Sequence, residues 1–199
     1  MRNKLILAMA TAGMMYGTSA FAAGEVVASA PLQFGTGTVT FTGTITNSPC
    51  DIAPGDDDIK VSFGQVSNRH FKAANDTTDS KPFTIHLQNC SFDPNALDSG
   101  ASADSAGKMS KVAVSFSGTG DVAHNAYTNS GNAKNVGIQL LKSDNTTVIA
   151  PNSVATDKDA QQLQAGNNNL NFFARLIALT TDVTPGGIEA SVTYTLKYM

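Results

Sequence analysis

The fold turns on the closing stretch Ile188-Glu189-Ala190-Ser191-Val192-Thr193-Tyr194-Thr195-Leu196-Lys197-Tyr198-Met199. Ile188, Ala190, Val192, Tyr194, Leu196 and Tyr198 fall on one face of an extended chain, and Ser191, Thr193, Thr195 and Lys197 fall on the other. A period of two with one apolar face is the mark of a half-buried β-strand. On an α-helix the same apolar residues would surround the axis.

Upstream, the alternation recurs. Val136, Ile138 and Leu140 alternate with Asn135, Gly137 and Gln139, and Val112, Val114 and Phe116 with Lys111, Ala113 and Ser115. Phe83, Ile85 and Leu87 alternate with Thr84, His86 and Gln88, and Ile59, Val61 and Phe63 with Lys60 and Ser62. The earliest run sets Val39, Phe41, Gly43 and Ile45 against Thr38, Thr40, Thr42, Thr44 and Thr46. Residues 170–179 are apolar on both faces, which predicts a strand buried on two sides or one crossed by a bulge. Turn-rich segments at 51–58, 93–107, 125–134 and 151–169 separate the runs, with a short helical turn expected at Asp159–Gln164. Short strands at this spacing predict an antiparallel sandwich.

Composition agrees. The 199 residues carry a formal charge of −3, only 15% charged and 41% hydrophobic residues, and no Trp. There is no basic excess for nucleic acid. Two cysteines and three histidines are poor material for a structural zinc site, which needs four ligands.

The first residues read as a secretory signal. Met1-Arg2-Asn3-Lys4 is positive, Leu5–Tyr16 is mostly apolar, and Ala20-Phe21-Ala22 places small residues before a cut between Ala22 and Ala23. The apolar run is shorter than the roughly 20 residues of a membrane span. Residues 23–199 are then the exported protein, with Ala23–Phe34 a flexible terminus. In an oxidising compartment Cys50 and Cys90 are expected to form a disulfide. The rival, a reactive thiol, lacks both a Cys-x-x-Cys pattern and an adjacent histidine. Closing a loop of about 40 residues contributes ~4 kcal/mol in the chain-entropy model.

Two strands pose an edge problem. The last alternating run ends at the chain terminus, and a sandwich leaves edges with open N–H and C=O groups. The run 38–46 lies behind a patternless leader, and no charge occurs from Gly35 to Asn47. It reads either as the first strand of its own domain or as an arm that completes a neighbour's sheet.

The ordered set of motifs resembles the chaperone–usher pilins, close to the major rod subunits of type 1 pili. The matching stretches are GTVTFTGTITNSPCDI (37–52), VSFGQV (61–66), FTIHLQNC (83–90), NVGIQLL (135–141), NFFAR (171–175), TPGG (184–187) and ASVTYTLKYM (190–199). The resemblance implies an all-β fold, an incomplete immunoglobulin-like antiparallel β-sandwich completed by a donor strand from another subunit. It implies a signal peptide at 1–22, a donor-strand arm at 23–48 and a pilin domain at 49–199. The arm would present Val39, Phe41, Gly43 and Ile45, with Gly43 matching a small residue of the family's arm. Val192, Tyr194, Leu196 and Tyr198 would wall the acceptor groove, with further partners from Val136–Leu140. The Met199 carboxylate would be held by basic residues of a periplasmic chaperone.

Implied partners are identical or related pilin subunits, that chaperone and an outer-membrane usher. No nucleic acid, small-molecule substrate or cofactor is implied. Met199 replaces the family's more usual Gln, and the loops at 51–58 and 93–107 look longer than in relatives.

Enzymatic chemistry finds no nominee. Asp56-Asp57-Asp58 lacks the alternating spacing and closing Glu of a calcium loop and reads as a solvated acidic turn. His70, His86 and His124 are scattered and read as surface side chains. Gly-x-Ser-x-Gly, His-Glu-x-x-His and phosphate-loop motifs are absent. Arg175, in an apolar run, is expected to pair with a carboxylate or to snorkel at a strand edge. The function expected is a fibre subunit at the cell surface that polymerises head to tail and contributes to adhesion. The alternative is a minor or adaptor pilin, or a small adhesive tip module. Tip adhesins carry an additional lectin domain, for which 177 exported residues leave no room.

Overall fold

The computed structural model describes residues 37–92 and 109–199. The signal segment, the Ala22–Ala23 cut, the leader up to residue 36 and the loop at 93–107 lie outside the described residues. The chain divides into two units, Met1–Thr44 and Ile45–Met199.

Within the second unit the alternating runs become strands. They are β1 (Asp51–Ile52), β2 (Lys81–Cys90), β3 (Lys111–Ser117), β4 (Gly120–Asp121), β5 (Ala126–Thr128), β6 (Val136–Leu141), β7 (Val148–Ile149), β8 (Gln161–Gln162), β9 (Gly166–Ala178) and β10 (Thr193–Tyr198). All pairings between them are antiparallel. One sheet has the order β1-β2-β9-β6-β5-β4, with β7 also on β6; the other is β10-β3-β8.

The pattern of each strand follows its place. β9 lies between β2 and β6; Leu170, Ala174, Leu176 and Ala178 are buried on one face, while on the other Ile177 is buried and Phe173 and Arg175 are half-buried, which accounts for the mixed pattern at 170–179. β6 is buried at every position. The register of β2 against β9 slips between Leu87 and Cys90, where Asn89 takes a positive φ of 52° and donates from Nδ2 to Asp51 Oδ2 at 3.0 Å. Asparagine tolerates that left-handed backbone better than most residues.

The core between the sheets forms two clusters. Phe71, Phe116, Tyr127, Val136, Ile138 and Leu140 anchor the first. Ile85, Leu87, Val112, Leu163 and Leu170 surround the Cys50–Cys90 disulfide in the second. Phe116 of β3 meets Phe172 of β9 edge-on at 5.1 Å between ring centres, and Phe172 stacks on Phe83 of β2 at 5.6 Å. Such aromatic pairs add about 0.5–1.5 kcal/mol beyond the area they bury. They hold the two sheets together.

Four sequence readings need correction. Residues 38–46 form no strand, and neither 59–63 nor 188–192 joins a ladder. Periodicity reports which face is apolar but says nothing of whether a neighbouring strand is present. The helical turn falls at Asp157–Asp159, ahead of its expected place, because Thr156 and Asp159 cap each other: the Thr156 backbone N–H and Oγ1 donate to Asp159 Oδ2 at 3.1 and 2.7 Å. Gln161–Gln162 is then free to pair with β3 as β8. Arg175 is not at an edge, and among the described residues it meets no carboxylate. It lies in central β9 opposite Gln139, and its Nε donates to Gln139 Oε1 at 3.0 Å. The acidic turn Asp56–Asp58 is solvated only in part. Asp56 accepts from His86 Nδ1 at 2.9 Å and from the His86 backbone N–H.

Candidate functional site

On the open side of β10 the sandwich is split by a groove. β10 pairs with β3 on one side only among the described residues. Across the groove, residues 59–66 run alongside without a ladder partner. The space between is two adjoining cavities of about 830 and 610 Å³ that share Val61, Phe63 and Ile188.

The groove has two banks and a floor. Ile59, Val61 and Phe63 line the first bank, and Ile188, Val192 and Tyr194 line the second. Phe83, Phe116, Ile138, Leu140 and Ala174 make the floor, drawn from β2, β3, β6 and β9. Towards the other end the floor continues through Phe71, Val136 and Leu176. Most of these floor residues are buried, so the apolar surface that the groove presents is carried mainly by its banks and Phe83. Half-buried apolar residues flank the groove on both sides.

Bare backbone and bare apolar surface lie together here. Unpaired N–H and C=O groups along a sheet edge template an added strand. Half-buried apolar side chains reward covering at roughly 25 cal/mol per Å². The arrangement can accept an extended chain with alternate apolar side chains, main chain to the banks and side chains to the floor.

One end of the groove is closed by polar chemistry. The Tyr194 hydroxyl donates to the Asp56 carbonyl at 2.8 Å. Burial, with the Asp56 and Asp57 carboxylates nearby, pushes its phenol up. Because Asp56 also holds His86 of β2, this turn ties the two sheets together at that end.

The residues expected to form the site are distributed as follows. Val192 and Tyr194 line the groove, and so do Ile138 and Leu140. Leu196 and Tyr198 pack against the second core cluster, where burial pushes the Tyr198 phenol up. Met199 extends the β10–β3 pairing: its N–H donates to Lys111 O at 2.9 Å and its own oxygen accepts from Lys111 N–H at 3.1 Å. In the arm, Val39, Phe41 and Ile45 are 75%, 90% and 102% exposed, and no atom approaches a Cβ placed on Gly43. Ala22 and Ala23 lie outside the described residues.

Sequence reading missed the whole first bank and Ile188. Their alternation was visible, but it could not tell a bank from an ordinary strand. It also missed Phe83, Phe116 and Ala174, which pattern alone assigned to a closed core. Among the described residues, no group of three or more His, Cys, Asp or Glu side chains is placed to hold a metal.

Comparison with known proteins agrees with this geometry. The family model described as "Fimbrial protein" matches residues 39–199. A fimbrial subunit type 1 of Salmonella typhimurium is 32% identical, with 100% of each chain covered. Long polar fimbria protein A of Salmonella typhimurium is 32% identical, covering 98% of this chain and 97% of that protein. Among solved structures, a chain from a chaperone–usher pilus studied for rod uncoiling superposes with a TM-score of 0.68 at 26% identity, over 84% of this chain and 98% of its own. The fold is the incomplete immunoglobulin-like sandwich of those pilins. The chain belongs to the fimbrial protein family and is a structural subunit of a bacterial surface fimbria, which it reaches by export through the periplasm.

Proposed function

We propose that the chain polymerises head to tail by donor-strand exchange, laying residues 23–48 of one copy into the groove of the next. The observation that carries this reading is a match within one polypeptide. The groove offers unpaired backbone over an apolar floor, and the arm offers unpaired backbone with exposed alternate apolar residues. From Val39 to Ile45 an extended arm spans about 20 Å at ~3.3 Å per residue. From Ile59 to Val66 an extended chain would reach about 23 Å on the same measure. Burying Val39, Phe41 and Ile45 contributes about 1.5–3 kcal/mol each. Gly43 carries no side chain, so it allows the arm's backbone to approach a bank closely.

A contact made by an arm on one face and a groove on another does not close on itself, so it generates a filament. The work is assembly: no bond is made or broken, no cofactor is used, and the chain is not an enzyme. Before assembly a periplasmic chaperone lends the missing strand and an outer-membrane usher directs the exchange. The Met199 carboxylate, one oxygen of which already accepts from Lys111, offers the chaperone's basic residues charge-assisted hydrogen bonds.

Removal of residues 23–46 tests the reading. The truncated subunit keeps its groove, so it still binds chaperone and still accepts an arm, but it donates none. Mixed into native subunits it is expected to cap filaments and shorten them in electron micrographs. Normal polymerisation of the truncated subunit alone would contradict the arm assignment.

A further inference from the structure

The two banks are held differently, and the difference singles out Asn129. The second bank begins in a segment, Val183–Glu189, that belongs to no strand and touches a ladder only at the Lys134–Thr184 bridge. Its shape comes from the loop between β5 and β6. Ala133 N–H donates to Gly187 O at 3.1 Å, and Ser130 N–H donates to Glu189 O at 2.8 Å. Lys134 N–H donates to Thr184 Oγ1 at 3.0 Å.

Asn129 sits at the centre of this clamp and uses both ends of its amide. Nδ2 donates to Ala133 O at 2.9 Å and to Gly187 O at 3.3 Å. Oδ1 accepts from Gly131 N–H at 3.0 Å and from Glu189 N–H at 2.8 Å. Two donations and two acceptances are the full inventory of a primary amide. One of each stays in the loop and one of each crosses to the bank. Backbone meets backbone with no room to spare: a Cβ on Gly131 would fall 2.1 Å from Gly187 O, and one on Gly186 would fall 2.2 Å from Ala133 N. Beside these anchors, Val183 and Ile188 line the groove.

Resting on donor-strand exchange as proposed above, we infer that Asn129 is a positioning residue for that exchange. It fixes the Val183–Glu189 bank in the shape an incoming strand needs before the strand arrives. Ordering a bank in advance removes part of the entropy cost of binding. The gain therefore appears in the rate of uptake, and the completed ladder holds the bank in the bound state with or without the clamp.

The test follows uptake of a fluorescent peptide copying residues 37–48 by the full chain, kept dilute, for native protein, Asn129→Ala and Asn129→Asp. Native protein must take up the peptide; if it does not, donor-strand exchange itself fails, and this inference with it. Given native uptake, Asn129→Ala is expected to slow association about tenfold and to change dissociation less than twofold. Asn129→Asp keeps the acceptor and loses the donors, so it is expected to fall between. A merely structural residue would lower the melting temperature and leave association unchanged at temperatures where the variant is folded. Association within twofold of native in folded Asn129→Ala overturns the inference while leaving strand exchange standing. Should Asn129→Ala fail to fold, Asn129→Asp decides: association slowed at least threefold supports the role, and a native rate overturns it.

Discussion

The banks of the groove are built by opposite means. The Val183–Glu189 bank is stitched to its neighbouring loop by side-chain and backbone hydrogen bonds. Over residues 59–66, the local bond from Gly64 N–H to Ser62 Oγ at 3.3 Å is joined by side-chain packing of Val61 and Phe63 on the core. One side is pinned by hydrogen bonds from a loop, and the other rests mainly on side-chain packing. An arriving strand would pair first where the backbone is already in place, and the loose bank would then close over it. Acceptance and retention thus depend on different residues, and substitution can separate them.

The largest expected effect attacks what both banks share. Phe116 is 3% exposed and joins β3 to Phe83 and Phe172 beneath the groove. Phe116→Ala is expected to destabilise the subunit by about 3–5 kcal/mol, as a large-to-small core change does. It should also abolish arm uptake, measured by denaturant melts and peptide binding. Loss of the disulfide is expected to cost nearly as much, about 2–5 kcal/mol. Cys50 and Cys90 belong to the second cluster, which meets the banks at one end, through Ile59 and Tyr194. The Cys50→Ala, Cys90→Ala pair should melt earlier but bind the peptide at a near-native rate while folded. A parallel fall in rate would show that the two clusters are coupled.

A smaller effect separates the banks directly. Val61→Ala on the loose bank and Ile188→Ala on the clamped one should each weaken the bound complex by about 1–2 kcal/mol, as lost apolar burial predicts. Only Ile188→Ala is expected to slow association. The smallest effect is acidification, which spares the banks. The Asp159 carboxylate is held down to about 2 by the Lys142 ammonium and the Thr156 hydroxyl. The Thr147 hydroxyl and backbone N–H hold Asp144 lower than its ordinary range. Groups depressed in the folded state add stability above their unfolded value of 3.8, and that stability is lost as pH falls through about 2. Both residues are exposed, so the acid loss should be slight, with peptide association at pH 4 close to that at pH 7.

Much of the architecture could be read from alternation. β2, β3, β6 and the end of β10 fall where period two placed them, because each turns its apolar residues to the core and has a partner along its edge. Residues 59–63 and 188–192 carry the same pattern without the partner, so composition could not mark them as banks. Arg175 was misjudged because its environment depends on Gln139, 36 positions away in sequence, whose Nε2 in turn donates to His124 O at 2.7 Å. The Asn129 clamp was illegible for a related reason. Asparagine in a Gly- and Ser-rich loop reads as an ordinary turn residue, and only the fold brings it to Gly187 and Glu189.

The most direct test of strand completion is hydrogen exchange on the full chain, read residue by residue before and after saturation with a peptide copying residues 37–48. A strand lying between the banks predicts strong new protection, at least a hundredfold, at alternate amides of both 59–66 and 190–194, with the larger gain on 59–66. A bound peptide that leaves these amides exchanging as before, or that protects a different surface, would contradict it.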